Sequence, residues 1–354
     1  SPARTAWKFT FSDVRDCPLQ HGQQRIVIEI AGDAVVNYKK FIFVPEEWKR
    51  NHENESTIAA IIKQLCGLLI YIMFILAALT ALWYFAQSSP LTSTMLFWSF
   101  FIFILIFLLK IMNSLPRIMV DFNTCKSFNT QLCMTIGSLI ISAFVQSSAL
   151  AFTLCITRSA YRYYRTLNTS LMRISLGASF GCMLAGLIAL MHKIVPAVKP
   201  LWASYGYLNS IVPLYDYLSI ALISYISFTL LALLAFGLAN HILIRYTRHH
   251  LYISLFLSTC GLVFAGAFYA NNIPLMFSIG VGLSLLLIFS FYSLVRFDHT
   301  LIPVATATYT ALSLLQEGLL RSAGKLPLNA LLASVIINIL GIGWYVSLNK
   351  PLQS

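Results

Sequence analysis

Charge is what this sequence has least of. Charged residues make up 10% of the 354 positions and hydrophobic residues 58%. A soluble chain typically carries about 25% charged residues. A water-soluble fold could not hide this much apolar surface, so lipid must be the main solvent for most of the chain. Acids are scarcer still, 12 against 24 Lys and Arg, for a net charge of +12. In a soluble protein that excess would suggest nucleic acid. Here the basic residues sit mostly in short loops between apolar runs, the ordinary signature of membrane orientation, so no nucleic-acid partner is expected.

Several chemistries are excluded by what is missing. There are seven cysteines but no CxxC, so a zinc or redox reading has no support. Cys66, Cys155, Cys182 and Cys260 lie within apolar runs and read as packing residues, while Cys17 lies in the polar N-terminus. Cys125 and Cys133 share one loop region and could pair only if that loop is extracytoplasmic. No phosphate loop, HExxH, GxSxG or nucleotide fingerprint occurs. Neither a cofactor nor a metal is expected.

Residues 1–56 differ from everything after them. They hold most of the acids and two alternating runs, Trp7-Lys8-Phe9-Thr10-Phe11 and Arg25-Ile26-Val27-Ile28-Glu29-Ile30. Alternation marks half-buried strands. Ala31-Gly32-Asp33 reads as a turn and Val35 to Val44 as a returning strand, ended by Pro45. Three strands make a weak core. We therefore expect a β-rich extramembrane segment, the end of a larger soluble domain in a processed or longer protein, or one lying on the membrane part. Glu46-Glu47-Trp48-Lys49-Arg50 leads into the membrane, as a headgroup-zone hinge or as the start of an amphipathic helix.

Residues 57–354 read as an all-α polytopic membrane domain. A span needs about 20 apolar residues. Nine candidates follow: 62–85, 92–112, 134–157, 174–191, 217–239, 251–270, 274–295, 301–320 and 328–348. The eighth carries Pro303, several threonines and Glu317, and could be re-entrant or interfacial. The stretch 114–133 is too polar to span and is expected along the surface. With nine spans, Arg158, Arg162, Arg165, Arg173, Arg245, Arg248, Arg296 and Lys350 collect on one side. That side is the better cytoplasmic candidate, which puts the N-terminal segment outside. The expected place is a bacterial inner membrane, and the expected partners are the lipid bilayer and other membrane proteins.

Within the spans, Gly177 and Gly181 lie four apart, with Gly186 beyond, and suggest close helix packing. Gln146-Ser147-Ser148, with Ser142 one turn earlier, should face the bundle. Tyr161, Tyr163 and Tyr164 interleave with Arg158, Arg162 and Arg165 as an interfacial belt. His241 could act as acid, base or ligand, or lie at a basic interface near Arg245, Arg248, His249 and His250. Glu317 is an acid at membrane depth and thus a functional candidate. Arg321 lies four residues on and could pair with it on one helix face.

The run Ile30-Ala31-Gly32-Asp33, then Phe41, Val44-Pro45-Glu46-Glu47-Trp48-Lys49-Arg50 and Asn113-Ser114-Leu115-Pro116, gives a family likeness over roughly the first third of the chain. It resembles the membrane region of large bacterial proteins grouped with the CPBP (CAAX-protease and bacteriocin-processing) intramembrane endopeptidases. That resemblance implies a glutamate-activated water, with an EExxxR motif followed by FxxxH and a further His and Asn or Asp. Glu317 and Arg321 match the second glutamate and the arginine, but Gln316 stands at the first. No FxxxH follows; Phe236 leads to Asn240, and His241 comes one place late and before the glutamate. The resemblance thus names Glu317, Arg321 and His241 as the catalytic candidates of a protease-like protein lacking an intact motif. A transporter, which needs discontinuous helices or buried charges, and a structural or regulatory subunit stay open.

Overall fold

The computed structural model describes residues 6–12, 23–87, 91–120, 122–161, 171–195, 210–245, 250–269, 273–295, 298–320 and 326–349. It divides into two units, Ser1–Ile62 and Lys63–Ser354.

The first unit carries three antiparallel strands in the order β1 (Ala6–Ser12), β2 (Gln23–Ala31) and β3 (Ala34–Phe43). Gly32 makes the β2–β3 turn at φ +70°, a conformation a Cβ would strain. Alternation places Trp7, Phe9 and Phe11 on one face of β1, opposite Ile30, Ile28 and Ile26 of β2. The three rings stack along the strand at 6.5 and 6.4 Å between centroids. On the other face, Lys8 pairs with Glu29 at 3.2 Å, and Asn37 donates to the same carboxylate. The amide of Asn37, and then Lys8, hold the Glu29 carboxyl below its ordinary range.

Helix α1 (Glu46–Gln87) begins directly after Pro45, whose carbonyl accepts from the Lys49 N–H at 3.2 Å. The helix start expected of this linker is observed. The membrane unit continues with α2 (Leu91–Val120), α3 (Phe128–Tyr161), α4 (Leu171–Ile194), α5 (Pro213–Arg245), α6 (His250–Tyr269) and α7 (Ile273–Ser290). A π-helical turn (Phe291–Val295) and a 3-10 turn (His299–Leu301) then lead to α8 (Ile302–Leu320) and α9 (Leu326–Asn349). Among the described residues, α1 to α7 and α9 contain stretches long and apolar enough to cross a membrane. Their outward side chains, such as Leu68, Phe97, Trp98, Ile141 and Leu285, are large, apolar and exposed. Helices satisfy their own backbone groups, so this surface suits hydrocarbon and not water. The chain is a multi-pass α-helical membrane protein with a small N-terminal sheet.

Two expectations change. The stretch 114–133 does not lie apart as a surface segment: α2 runs on through Pro116 to Val120, and α3 starts at Phe128. The eighth segment does not turn back on itself. α8 is one continuous helix packed by α4, α5 and α9, and its residues Ile302 to Ala307 are all buried. Its threonines satisfy themselves: Thr306, Thr308 and Thr310 donate to the carbonyls of Ile302, Val304 and Thr306 at 2.9, 3.0 and 2.8 Å.

The glycine stripe of α4 lies against α8. A Cβ at Gly177 would stand 3.0 Å from the Val304 Cβ, and one at Gly181 would press the Ala305 carbonyl and meet the Thr308 Cβ at 2.7 Å. Across the bundle, α5 runs antiparallel to α8. Tyr217 donates to the Leu314 carbonyl at 3.1 Å, the Thr229 and Thr306 hydroxyls meet at 2.7 Å, and Phe236 and Ile302 share one core. On α3, Ser147 is fully buried, and Gln146 donates to Ser142 at 2.9 Å. Cys125 and Cys133 are both free and exposed.

Candidate functional site

The antiparallel α5 and α8 decide where the expected catalytic residues stand. Glu317 is half-buried, three residues past Leu314, and so lies at the end of the bundle where α5 begins. The backbone of His241 lies in the last turns of α5, 24 residues beyond Tyr217. At 1.5 Å per residue this places His241 roughly 36 Å along α5 from Tyr217, with Glu317 toward the Tyr217 end. The structure does not bring Glu317 and His241 together. Arg321 and the side chain of His241 lie outside the described residues.

A second acid occupies a more telling position. Asp216, in the first turn of α5, is 1% exposed, and its Oδ2 has no hydrogen-bond partner among the described residues. Lys110 and Arg117 of α2 act on it electrostatically. The two helices are held in register by Asn113, one turn past Lys110. Its Oδ1 accepts from the Val212 N–H at 2.7 Å, its Nδ2 donates to the Val212 carbonyl at 3.1 Å, and its own carbonyl accepts from the Ile211 N–H at 3.0 Å. Val212 is apolar and cannot cap the helix that Pro213 starts, so Asn113 supplies the cap from 99 residues away. The reading from sequence missed Asp216, because it falls one residue before the expected span at 217. The available signal was scarcity: after residue 57 the acids are only Asp121, Asp216, Asp298 and Glu317.

At the other end, Asp298 caps the 3-10 turn, accepting from the Thr300 N–H at 3.0 Å. Its second oxygen lies 3.5 Å from Nη1 of Arg173, in the first turn of α4. His299 beside it is buried, and burial pushes its imidazole down to about 4, against the opposite pull of Asp298.

Between these ends lies an apolar void of about 120 Å³, walled by α1 and α4 to α8. A second void of about 50 Å³ adjoins it, sharing Leu184, Ala232, Phe236, Leu287 and Thr306. Among the described residues, neither void has a charged side chain in its wall. Among the described residues, no group of three or more His, Cys, Asp or Glu could hold a metal ion.

The arrangement can therefore hold an apolar guest at its centre and a buried carboxylate near one end. Glu317 and the backbone of His241 stand at different depths, whereas general-base activation of water needs its carboxylate and imidazole close together. No family model matches the chain, and no curated protein or solved structure matches it.

Proposed function

We propose that this chain is a membrane module related to the CPBP-type intramembrane proteases that has no peptidase activity of its own and serves as a binding or structural subunit. We place it in a bacterial inner membrane, with the Arg-rich loops in the cytoplasm and residues 1–56 outside. The observation that carries the reading is the separation of Glu317 and His241 toward opposite ends of α5. Gln316 in place of the first glutamate agrees with it. A carrier is the second reading, favoured by the buried Asp216 carboxylate, on which Lys110 acts electrostatically, since buried charge in such folds marks ion and substrate sites.

The test is a cleavage assay on reconstituted protein with a panel of single-span reporter peptides. Wild type and Glu317→Gln should both leave the peptides intact. Cleavage by wild type that Glu317→Gln abolishes would establish the protease. Orientation is checked with a Ser170→Cys variant in intact cells, where strong labelling from outside would reverse the assignment.

A further inference from the structure

We infer that Asp216 is a proton-binding site of the membrane unit, loaded and emptied at its Oδ2. The inference rests on the carrier reading for what the site is for, and on the geometry alone for the site itself.

Placement comes first. Lys110, Asn113 and Arg117 follow one another at i, i+3 and i+7 and so share one face of α2. Asn113 fixes which face that is, through its bonds to Ile211 and Val212. The two helices run antiparallel, since Phe103 and Phe107 of α2 share a core with Leu230 of α5 deeper in the bundle. Asp216, four residues past Val212, and Lys110, three before Asn113, therefore both stand about one helical turn, roughly 5 Å, inside this clamp. Arg117 stands a turn outside it and is exposed.

The surroundings come second. Asp216 is 1% exposed, and its Oδ2 is sealed from solvent with no hydrogen-bond partner among the described residues. The titratable groups that the described residues bring to this end of α5 are Lys110 and Arg117 of α2, Cys133 of α3 and Glu317 of α8, with Tyr215 and Tyr217 on α5 itself. α9 carries none at this end, and α6 ends level with Phe228, about three turns deeper. Of these groups, Lys110 and Arg117 act on Asp216 electrostatically, yet neither forms an ion pair with it.

The third step identifies the ion. A metal ion needs several ligands, and no group of three or more His, Cys, Asp or Glu occurs among the described residues. A proton needs one oxygen and no cavity. Two influences on that oxygen oppose each other. The cations of α2 favour the carboxylate, whereas closure from solvent without a hydrogen bond favours the neutral acid. A direct ion pair would hold the group as a carboxylate, and burial without cations would hold it as an acid. With the cations near but not in contact, both forms stay within reach, as proton exchange requires. Loading moves one proton from water to Oδ2 and removes one negative charge from the bundle; unloading reverses both.

The experiment uses the full chain reconstituted in phosphatidylcholine vesicles. Infrared difference spectra between pH 4 and pH 9 report the carbonyl stretch of protonated carboxyl groups. A titrating band should appear that Asp216→Asn removes and Glu317→Gln leaves in place. Lys110→Met keeps the acid and takes away one of its two cations, so the same band should titrate at about ten-fold lower proton concentration. That variant also covers the case in which Asp216→Asn does not fold. Loss of no titrating band in Asp216→Asn, or a band that Lys110→Met does not move, would overturn the inference. Proton flux under an imposed pH gradient, read by an entrapped pH dye, separates the site from the carrier reading. A titrating Asp216 in vesicles that pass no protons supports the site and ends the carrier reading. Flux that persists in Asp216→Asn, with no band lost, keeps the carrier reading and overturns the site.

Discussion

The contact between α4 and α8 allows a sharp test of how this membrane unit is held together. Gly181 sits where the two helices approach most closely. A methyl group there would press the Ala305 carbonyl and stand 2.7 Å from the Thr308 Cβ. The first obstacle is backbone and cannot rotate aside. An ordinary contact between carbon atoms is about 3.5–4.0 Å, so the helices would have to part by about 1 Å. Overpacking of this kind costs about 1–3 kcal/mol. Gly186, on the same helix, is the control: nothing lies within 4 Å of its added Cβ. There, replacing glycine by alanine in a helix interior should stabilise by up to about 1 kcal/mol. The two variants make the same chemical change in one helix, so their difference isolates the contact. We expect Gly181→Ala to unfold at lower SDS mole fraction than wild type, read by far-UV circular dichroism, and Gly186→Ala at an equal or higher one. Equal stability of the two variants would refute the close approach of α4 to α8.

Other predictions follow from the two ends of the bundle. Asn113→Ala should cost about 1–3 kcal/mol in the same titration, because it strands the Val212 N–H at the start of α5. Asp216→Asn should destabilise by leaving Lys110 without its counter-charge, and Lys110→Met added to it should recover part of the loss; a coupling below about 0.5 kcal/mol in the double-mutant cycle would exclude a direct interaction. His299, in the turn before α8, has its folded value depressed to about 4. The unfolded chain then binds the proton more readily, so stability is complete above about pH 6.5 and falls as pH drops toward 4, by up to about 3 kcal/mol. His299→Gln should flatten that loss when unfolding is compared at pH 7.5 and 4.5.

Much of the fold was legible because lipid imposes a simple rule on sequence. A helix whose side chains meet hydrocarbon must be apolar over about 20 residues, and eight of the helices announce themselves in this way. The sheet was legible for an equally local reason, the alternation of Trp7, Phe9 and Phe11 against Lys8 and Thr10. What the sequence concealed is set by contacts distant along the chain. Hydropathy reports the tendency to face lipid, whereas α8 faces protein; its threonines return their hydroxyls to their own helix, which no composition index registers. The polarity of 114–133 obscured the extension of α2, because Asn113 turns toward α5 and leaves the helix unbroken. Asp216 was invisible as a candidate for the same reason: its significance lies in α2, about a hundred residues earlier. Glu317 and His241 could be named from motif likeness, but their separation follows only from the antiparallel course of α5 and α8.

The burial of α8 bears on how the protein is made. A helix leaving the ribosome is sorted into the bilayer by its own partition between water and hydrocarbon. α8 emerges after α7 and before α9, and on its own it would carry Thr306, Thr308, Thr310 and Glu317 into lipid. In the finished protein its neighbours are α4, α5 and α9. The packing predicts that α8 enters only once α9 has been synthesised, the two partitioning as a hairpin against α4 and α5. A nascent chain that ends at residue 325 and is tethered to the ribosome through a long polar linker should hold α8 at the insertion machinery, where chemical cross-linking finds it. A chain extended through residue 349 ahead of the same linker should release it into the bilayer. The least lipid-loving helix thus sets the order of biogenesis.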